Sequence, residues 1–193
     1  MSERRLLVLD LAVKFALVAL LLFGAFSGLD RFEGKAMTGR ALVYPIAVVI
    51  VPAVWWLWFR RTRYPYALDI LIVLPFLIDT AGNALDLYDS VSWWDDANHL
   101  VNWWLHTAAV AILLAATGLP REARAGLGIA WAASTAILWE LAEYVTFVPG
   151  SAEASTAYAD TLGDLALGLL GGTIASVLIA WRLPAADEVP TVG

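Results

Sequence analysis

Ten carboxylate, amide and imidazole side chains fall between residues 79 and 106 of a largely apolar chain: Asp79, Asn83, Asp86, Asp89, Asp95, Asp96, Asn98, His99, Asn102 and His106. Both histidines of the protein are among them. Later come two further acidic pairs, Glu140 with Glu143 and Asp160 with Asp164. Carboxylates set beside imidazoles suit Zn, Mn or Fe better than Ca, which prefers oxygen donors alone. The absence of cysteine excludes disulfides, thiolate metal sites and thiol redox chemistry.

The rest of the chain determines where such groups must work. Of 193 residues, 61% are hydrophobic and only 16% charged, against roughly half and a quarter in a soluble domain. Repeated apolar runs match a hydrocarbon core of about 30 Å, so we expect an all-α, polytopic transmembrane bundle. Six spans are expected, near 6–26, 41–59, 66–88, 96–117, 124–148 and 158–181, forming a single bundle over 1–182 with a mobile polar tail at 183–193. The first has the layout of a signal peptide, with Arg4 and Arg5 ahead of it and Ala25-Phe26-Ser27 at its end; we read it as a spanning helix. Residues 28–40 read as a polar loop or short interfacial helix. A net charge of −6 and the lack of a basic stripe exclude a nucleic-acid partner.

With the N-terminus inside, eight arginines (4, 5, 60, 61, 63, 121, 124 and 182) fall on the inner side, against Arg31, Lys35 and Arg40 outside. This predicts cytoplasmic termini in a multi-pass protein of the inner or plasma membrane. Outer loops then hold Asp89, Asp95, Asp96 and Glu153. Counting 1.5 Å per residue from the outer ends places Asp79, His99, Glu140 and Asp164 about 5–10 Å inside the boundary. Asp86, Asp95, Glu143 and Asp160 fall just above them, and His106 about 15 Å deep.

Spacing assigns these groups to helix faces. Asp79, Asn83 and Asp86 follow i, i+4, i+7; Asp95, His99, Asn102 and His106 follow i, i+4, i+7, i+11. Asp160 and Asp164 continue into Gly168, Gly172 and Ser176; Glu140 lies in line with Gly128, Ala132 and Ala136, and with Tyr144 beyond it. Small residues at this spacing let membrane helices approach closely, so the acids are expected on packed faces, pointing at one another. Unpaired acids in lipid cost a few kcal/mol each on insertion scales. Bound cations, shared protons or a water-filled cavity would relieve that cost. Plainer roles suit some of the set: loop acids for Asp89 and Asp95, a helix N-terminal acid for Asp160, a core histidine for His106, interhelical hydrogen bonds for Asn83 and Asn102, and a local ion pair for Asp10 with Lys14.

The order Asp79-x-x-x-Asn83…Tyr88-Asp89, Trp94-Asp95-Asp96-x-x-His99, Trp139-Glu140-x-x-Glu143-Tyr144 and Asp160-Thr161-x-x-Asp164-x-x-x-Gly168 resembles the YjdF-like bacterial membrane proteins. It is more distantly similar to the VanZ-like proteins. The resemblance implies a small polytopic membrane protein, and its VanZ-like side implies the cell envelope.

Three functions compete. The first is a metal-dependent hydrolase or transferase acting on a lipid or envelope substrate. A divalent Zn, Mn or Fe ion would be held by His99, Asp95 or Asp96, Asp164, Asp79 and Glu140, with Glu143 as general base. Asn83, Asp86, Asn102, His106, Tyr144, Asp160, Arg31 and Lys35 would surround the substrate, with Arg31, Lys35 and Arg40 meeting an anionic headgroup. The second is a cation- or proton-coupled transporter, which an acid–imidazole series favours; the sequence offers neither an internal repeat nor a matched pair of interrupted helices. The third is a non-catalytic protein binding membrane lipids or a partner, with Gly168-x-x-x-Gly172 available for a homodimer.

Overall fold

A computed structural model describes residues 2–147 and 156–184. The expected end of the fifth span at Val148, the loop acid Glu153 and the tail beyond Pro184 lie outside the described residues. Among those described, every regular element is helical: α1 (Glu3–Phe26), α2 (Met37–Val43), α3 (Pro45–Val54), α4 (Tyr66–Ala84), α5 (Leu87–Ser90), α6 (Trp94–Ala115), α7 (Arg121–Phe147) and α8 (Ala157–Arg182). Among the described residues, five helical stretches are long and apolar enough to cross a membrane: Glu3–Phe26, Met37–Phe59, Tyr66–Ala84, Arg121–Thr146 and Ala157–Arg182. The fourth expected span, 96–117, corresponds to α6. Its 22 residues reach about 33 Å, but the Asp, Asn and His side chains at 95–106 lower its hydropathy. The chain divides into two compact units, Met1–Trp94 and Asp95–Gly193.

In the first unit α1 packs against α2 and α4, and α3 against α4. Leu17, Leu21 and Val73 are fully buried, whereas Phe15 and Phe26 are 77% and 80% exposed, as expected of side chains facing lipid. The expected loop at 28–40 contains a 3₁₀ turn, Asp30–Phe32, and the second span begins earlier than anticipated, at Met37. Pro45 stands in the first turn of α3, where its missing N–H costs nothing. Pro52 sits inside the same helix, and the backbone widens into a π-helical turn at Trp55–Phe59 just beyond it.

The third span is shorter than its hydropathy suggests. α4 stops at Ala84, and Asp86 takes a left-handed conformation (φ 60°) before the short α5, a geometry that aspartate tolerates better than most residues. Asp79 and Asn83 therefore share a helical face, but Asp86 does not continue it. That part of the i, i+4, i+7 reading is corrected.

In the second unit α7 and α8 run antiparallel. Arg124, in the first turn of α7, is 2% exposed and donates through Nη1 to the Leu183 carbonyl (3.0 Å) and through Nη2 to that of Ala180 (3.2 Å). It satisfies acceptors that the end of α8 would otherwise leave open. Ser176 Oγ donates to the Ala125 carbonyl at 2.9 Å. Leu183, expected to open a mobile tail, is thus anchored through its carbonyl. The small-residue faces meet as anticipated: Gly128 abuts Ser176, Gly168 abuts Trp103 and Ala136, and Gly172 abuts Ala132 and Thr107. Gly171 lies against the α6 backbone at Leu100 and Trp104. Contacts within one chain account for the Gly168–Gly172 spacing without a second copy.

Candidate functional site

The close approach of α8 to α6 positions the second unit's acids around one imidazole. His99 is buried, stacks on Trp103 with ring centroids 5.8 Å apart, and presents both nitrogens to carboxylates. Nε2 lies 3.6 Å from Asp95 Oδ1, one turn earlier on α6, and 3.8 Å from Asp164 Oδ1 on α8. Nδ1 lies 3.7 Å from Glu140 Oε1 on α7. Asp164 and Glu140 are buried and Asp95 half-buried. Two triads, Asp95–His99–Asp164 and His99–Glu140–Glu143, each gather their donor atoms within 4.8 Å of one another. Glu140 also bonds the Thr161 side chain of α8.

Trp103 fixes the platform beneath. Its indole N–H donates to the Ala132 carbonyl at 3.1 Å, and its ring meets Trp139 edge to face at 6.1 Å. With Ala132 and Ala136 it forms the buried apolar core beside the polar cluster. Apolar walls around a few convergent polar groups are the usual make-up of a binding site.

The other expected site residues of this unit divide clearly. Of the adjacent acids Asp95 and Asp96, only Asp95 joins the cluster; Asp96 is exposed. Glu143 is half-buried and within the second triad. Asn102 is buried and donates to Asn98 Oδ1 at 2.8 Å. His106 is half-buried with its ring edge against Trp103 at 6.2 Å. Tyr144 is 56% exposed, and Asp160 is an exposed acid in the first turn of α8, where it complements the helix dipole.

Asp79 belongs to the first unit, and that unit satisfies it. Its Oδ2 accepts from Arg40 Nη1 and from Tyr44 Oη (2.7 Å); its Oδ1 accepts from Tyr88 Oη (2.9 Å) and Asn83 Nδ2 (3.3 Å). Four donors fill the roughly four acceptor sites of a carboxylate, which leaves Asp79 without a lone pair for a metal. The sequence reading missed Arg40 and Tyr44 as its partners because it placed Arg40 in a loop. The signal was present, since a buried acid in an apolar helix requires a cation.

The expected headgroup cations are engaged locally. Lys35 Nζ donates to Asp86 Oδ1 at 2.8 Å and pairs with Asp89. Burial pushes the Lys35 ammonium down, but the Asp86 and Asp89 carboxylates outweigh it and hold its pKa above the ordinary value. The Lys35 hydrogen bond, with Asp89 beside it, holds Asp86 below the usual carboxylate value. Arg31 lies over the rings of Phe23 (5.8 Å) and Phe32 (5.3 Å), a cation–π arrangement.

No curated protein and no solved structure matches this chain. A family model does: residues 10–185 match the family described as "Predicted membrane protein (DUF2238)". The match agrees with the YjdF-like resemblance at the level of the family and covers both units. An integral membrane protein is also what the apolar helices require, and the chain belongs to this family of membrane proteins.

Proposed function

We propose that Asp95, His99 and Asp164 form a divalent transition-metal site in a membrane-embedded hydrolase or transferase acting on a lipid or envelope ester or phosphoester. The observation that supports this most is the placement of both His99 nitrogens against carboxylates from three helices. The donor set fits the group. Ligands 2.0–2.2 Å from a tetrahedral ion lie about 3.3–3.6 Å apart, close to the 3.6 and 3.8 Å separations on the Nε2 side. One imidazole with carboxylates suits Zn, Mn or Fe.

When bound, such an ion supplies Lewis acidity towards an ester or phosphoester oxygen. The chain's own residues do the remainder. Glu140, facing Nδ1, fixes the tautomer that presents the Nε2 lone pair and keeps the ring oriented. Glu143, half-buried at the edge, takes the proton of the attacking water or alcohol. Trp103 and Trp139 bound the site with apolar surface. With cytoplasmic termini, as the arginine distribution favours, the site opens towards the outer leaflet.

The test is metal affinity across three purified, folded variants. His99→Ala and Asp164→Asn should abolish stoichiometric binding, whereas Glu140→Gln should weaken it about 10–100-fold, the usual cost of losing an orienting partner. Equal affinity in all three would discard the assignment and favour a purely structural polar network.

A further inference from the structure

A second buried ionisable cluster lies in the first unit and has no part in the chemistry above. Asp10 and Lys14 on α1, Asp69 on α4 and Tyr64 just before α4 converge on a single ammonium group. Lys14 Nζ lies 3.2 Å from Asp10 Oδ2 and contacts Asp69 Oδ2; Tyr64 Oη donates to the same Asp69 oxygen. Tyr66 lies tilted against Tyr64, with ring centroids 4.7 Å apart. Asp10 is 3% exposed and Asp69 fully buried.

Two features remain unbalanced. Two carboxylates face one ammonium, so the fully ionised cluster carries a net charge of −1 inside apolar helices, which is costly. Moreover, the second oxygen of each acid, Asp10 Oδ1 and Asp69 Oδ1, is buried with no hydrogen-bond partner. Sharing one ammonium brings the two carboxyl groups within hydrogen-bonding reach of each other. Two carboxylates cannot bond each other; a carboxylic acid and a carboxylate can.

We infer that Asp10 and Asp69 together bind one exchangeable proton beside Lys14, making this cluster a proton-binding site of the first unit. One proton cancels the excess charge and turns one orphaned oxygen into a donor for the other acid. A sodium or potassium ion suits the place less well, because Lys14 already occupies its centre and few oxygens remain free. The groups facing the proton are Lys14 on α1 and Tyr64 just before α4, with Tyr66 against Tyr64, and no others among the described contacts of Asp10 and Asp69.

Infrared difference spectroscopy of the full-length protein tests this, because a protonated carboxylic acid has a carbonyl band that carboxylates lack. At neutral pH the unaltered protein should show an aspartic-acid band, shifted by carboxyl-labelled aspartate. Asp10→Asn and Asp69→Asn should each abolish the cluster's contribution, leaving the remaining carboxylate paired with Lys14. Should either variant fail to fold, Glu140→Gln/Asp164→Asn protein, which keeps this cluster intact and silences the other, should retain one labelled band per chain. Loss of that band, or no change in Asp10→Asn and Asp69→Asn, overturns the proposal. A band that appears only when sodium and potassium are withdrawn would name a metal cation as the occupant and overturn it as well.

Discussion

The approach of α8 to α6 carries the site, and a single methyl group measures it. A Cβ added at Gly171 would overlap the Leu100 carbonyl oxygen and stand 3.0 Å from its carbon and 3.2 Å from the Trp104 nitrogen. These are backbone atoms, so no side chain can swing aside. A Cβ at Gly163, on the same helix, meets nothing within 4 Å. Both Gly→Ala changes gain about 0.5–1 kcal/mol of helix preference, but only Gly171→Ala also incurs overpacking of about 1–3 kcal/mol. Gly163→Ala should therefore be neutral or slightly stabilising, and Gly171→Ala less stable than it by about 1–3 kcal/mol. Reversible unfolding in detergent, followed by circular dichroism, reads that difference. Because Leu100 adjoins His99, Gly171→Ala should also weaken metal binding, and Gly163→Ala should not. Equal stability of the two variants would refute the close packing that brings Asp164 to His99.

Other expectations follow from individual contacts. Asp79→Asn should destabilise the protein by about 3–5 kcal/mol, since it leaves Arg40 charged and unmatched in a buried setting; Asp79→Asn/Arg40→Gln should recover much of that loss in a double-mutant cycle. Arg124→Ala removes two charge-assisted bonds to the end of α8 and should cost about 2–4 kcal/mol, with Lys a poor substitute because it lacks the fork. The Lys35–Asp86 pair sets a pH window. Asp86, lowered by Lys35, contributes stability above its ordinary value of 3.8 that is lost as pH falls through its folded value. Lys35, raised by the acids, contributes stability below 10.5 that is lost as pH rises through its folded value. Thermal-shift profiles of Asp86→Asn should be flatter than those of the unaltered protein at both extremes, by a small amount because the pair is partly exposed.

The sequence revealed the fold class because hydropathy over about 20 residues is a strong signal in membranes. It also revealed that the fifth and sixth spans meet through their small residues, and that His99, Glu140 and Asp164 lie together: polar groups on glycine- and alanine-rich faces have few other places to go. What it did not reveal was pairing by cations far away in sequence. Arg40 and Arg124 were counted as loop charges, yet one anchors Asp79 and the other closes α8. Loop counting treats every arginine near a span end alike, whereas Arg124 is among the most deeply buried large side chains of the described residues. Asp86 was lost from the Asp79 face for a different reason. A left-handed residue ends the helical count, and neither hydropathy nor spacing records it. Asp10 and Lys14 were legible as an i, i+4 pair; Asp69, 55 residues from Lys14 in sequence, was not.

Elemental analysis of the purified, folded, unaltered protein is the most direct measurement. The account predicts one Zn, Mn or Fe ion per chain, retained through dialysis and lost in His99→Ala. Fully folded, unaltered protein that neither carries such an ion nor takes one up would contradict it.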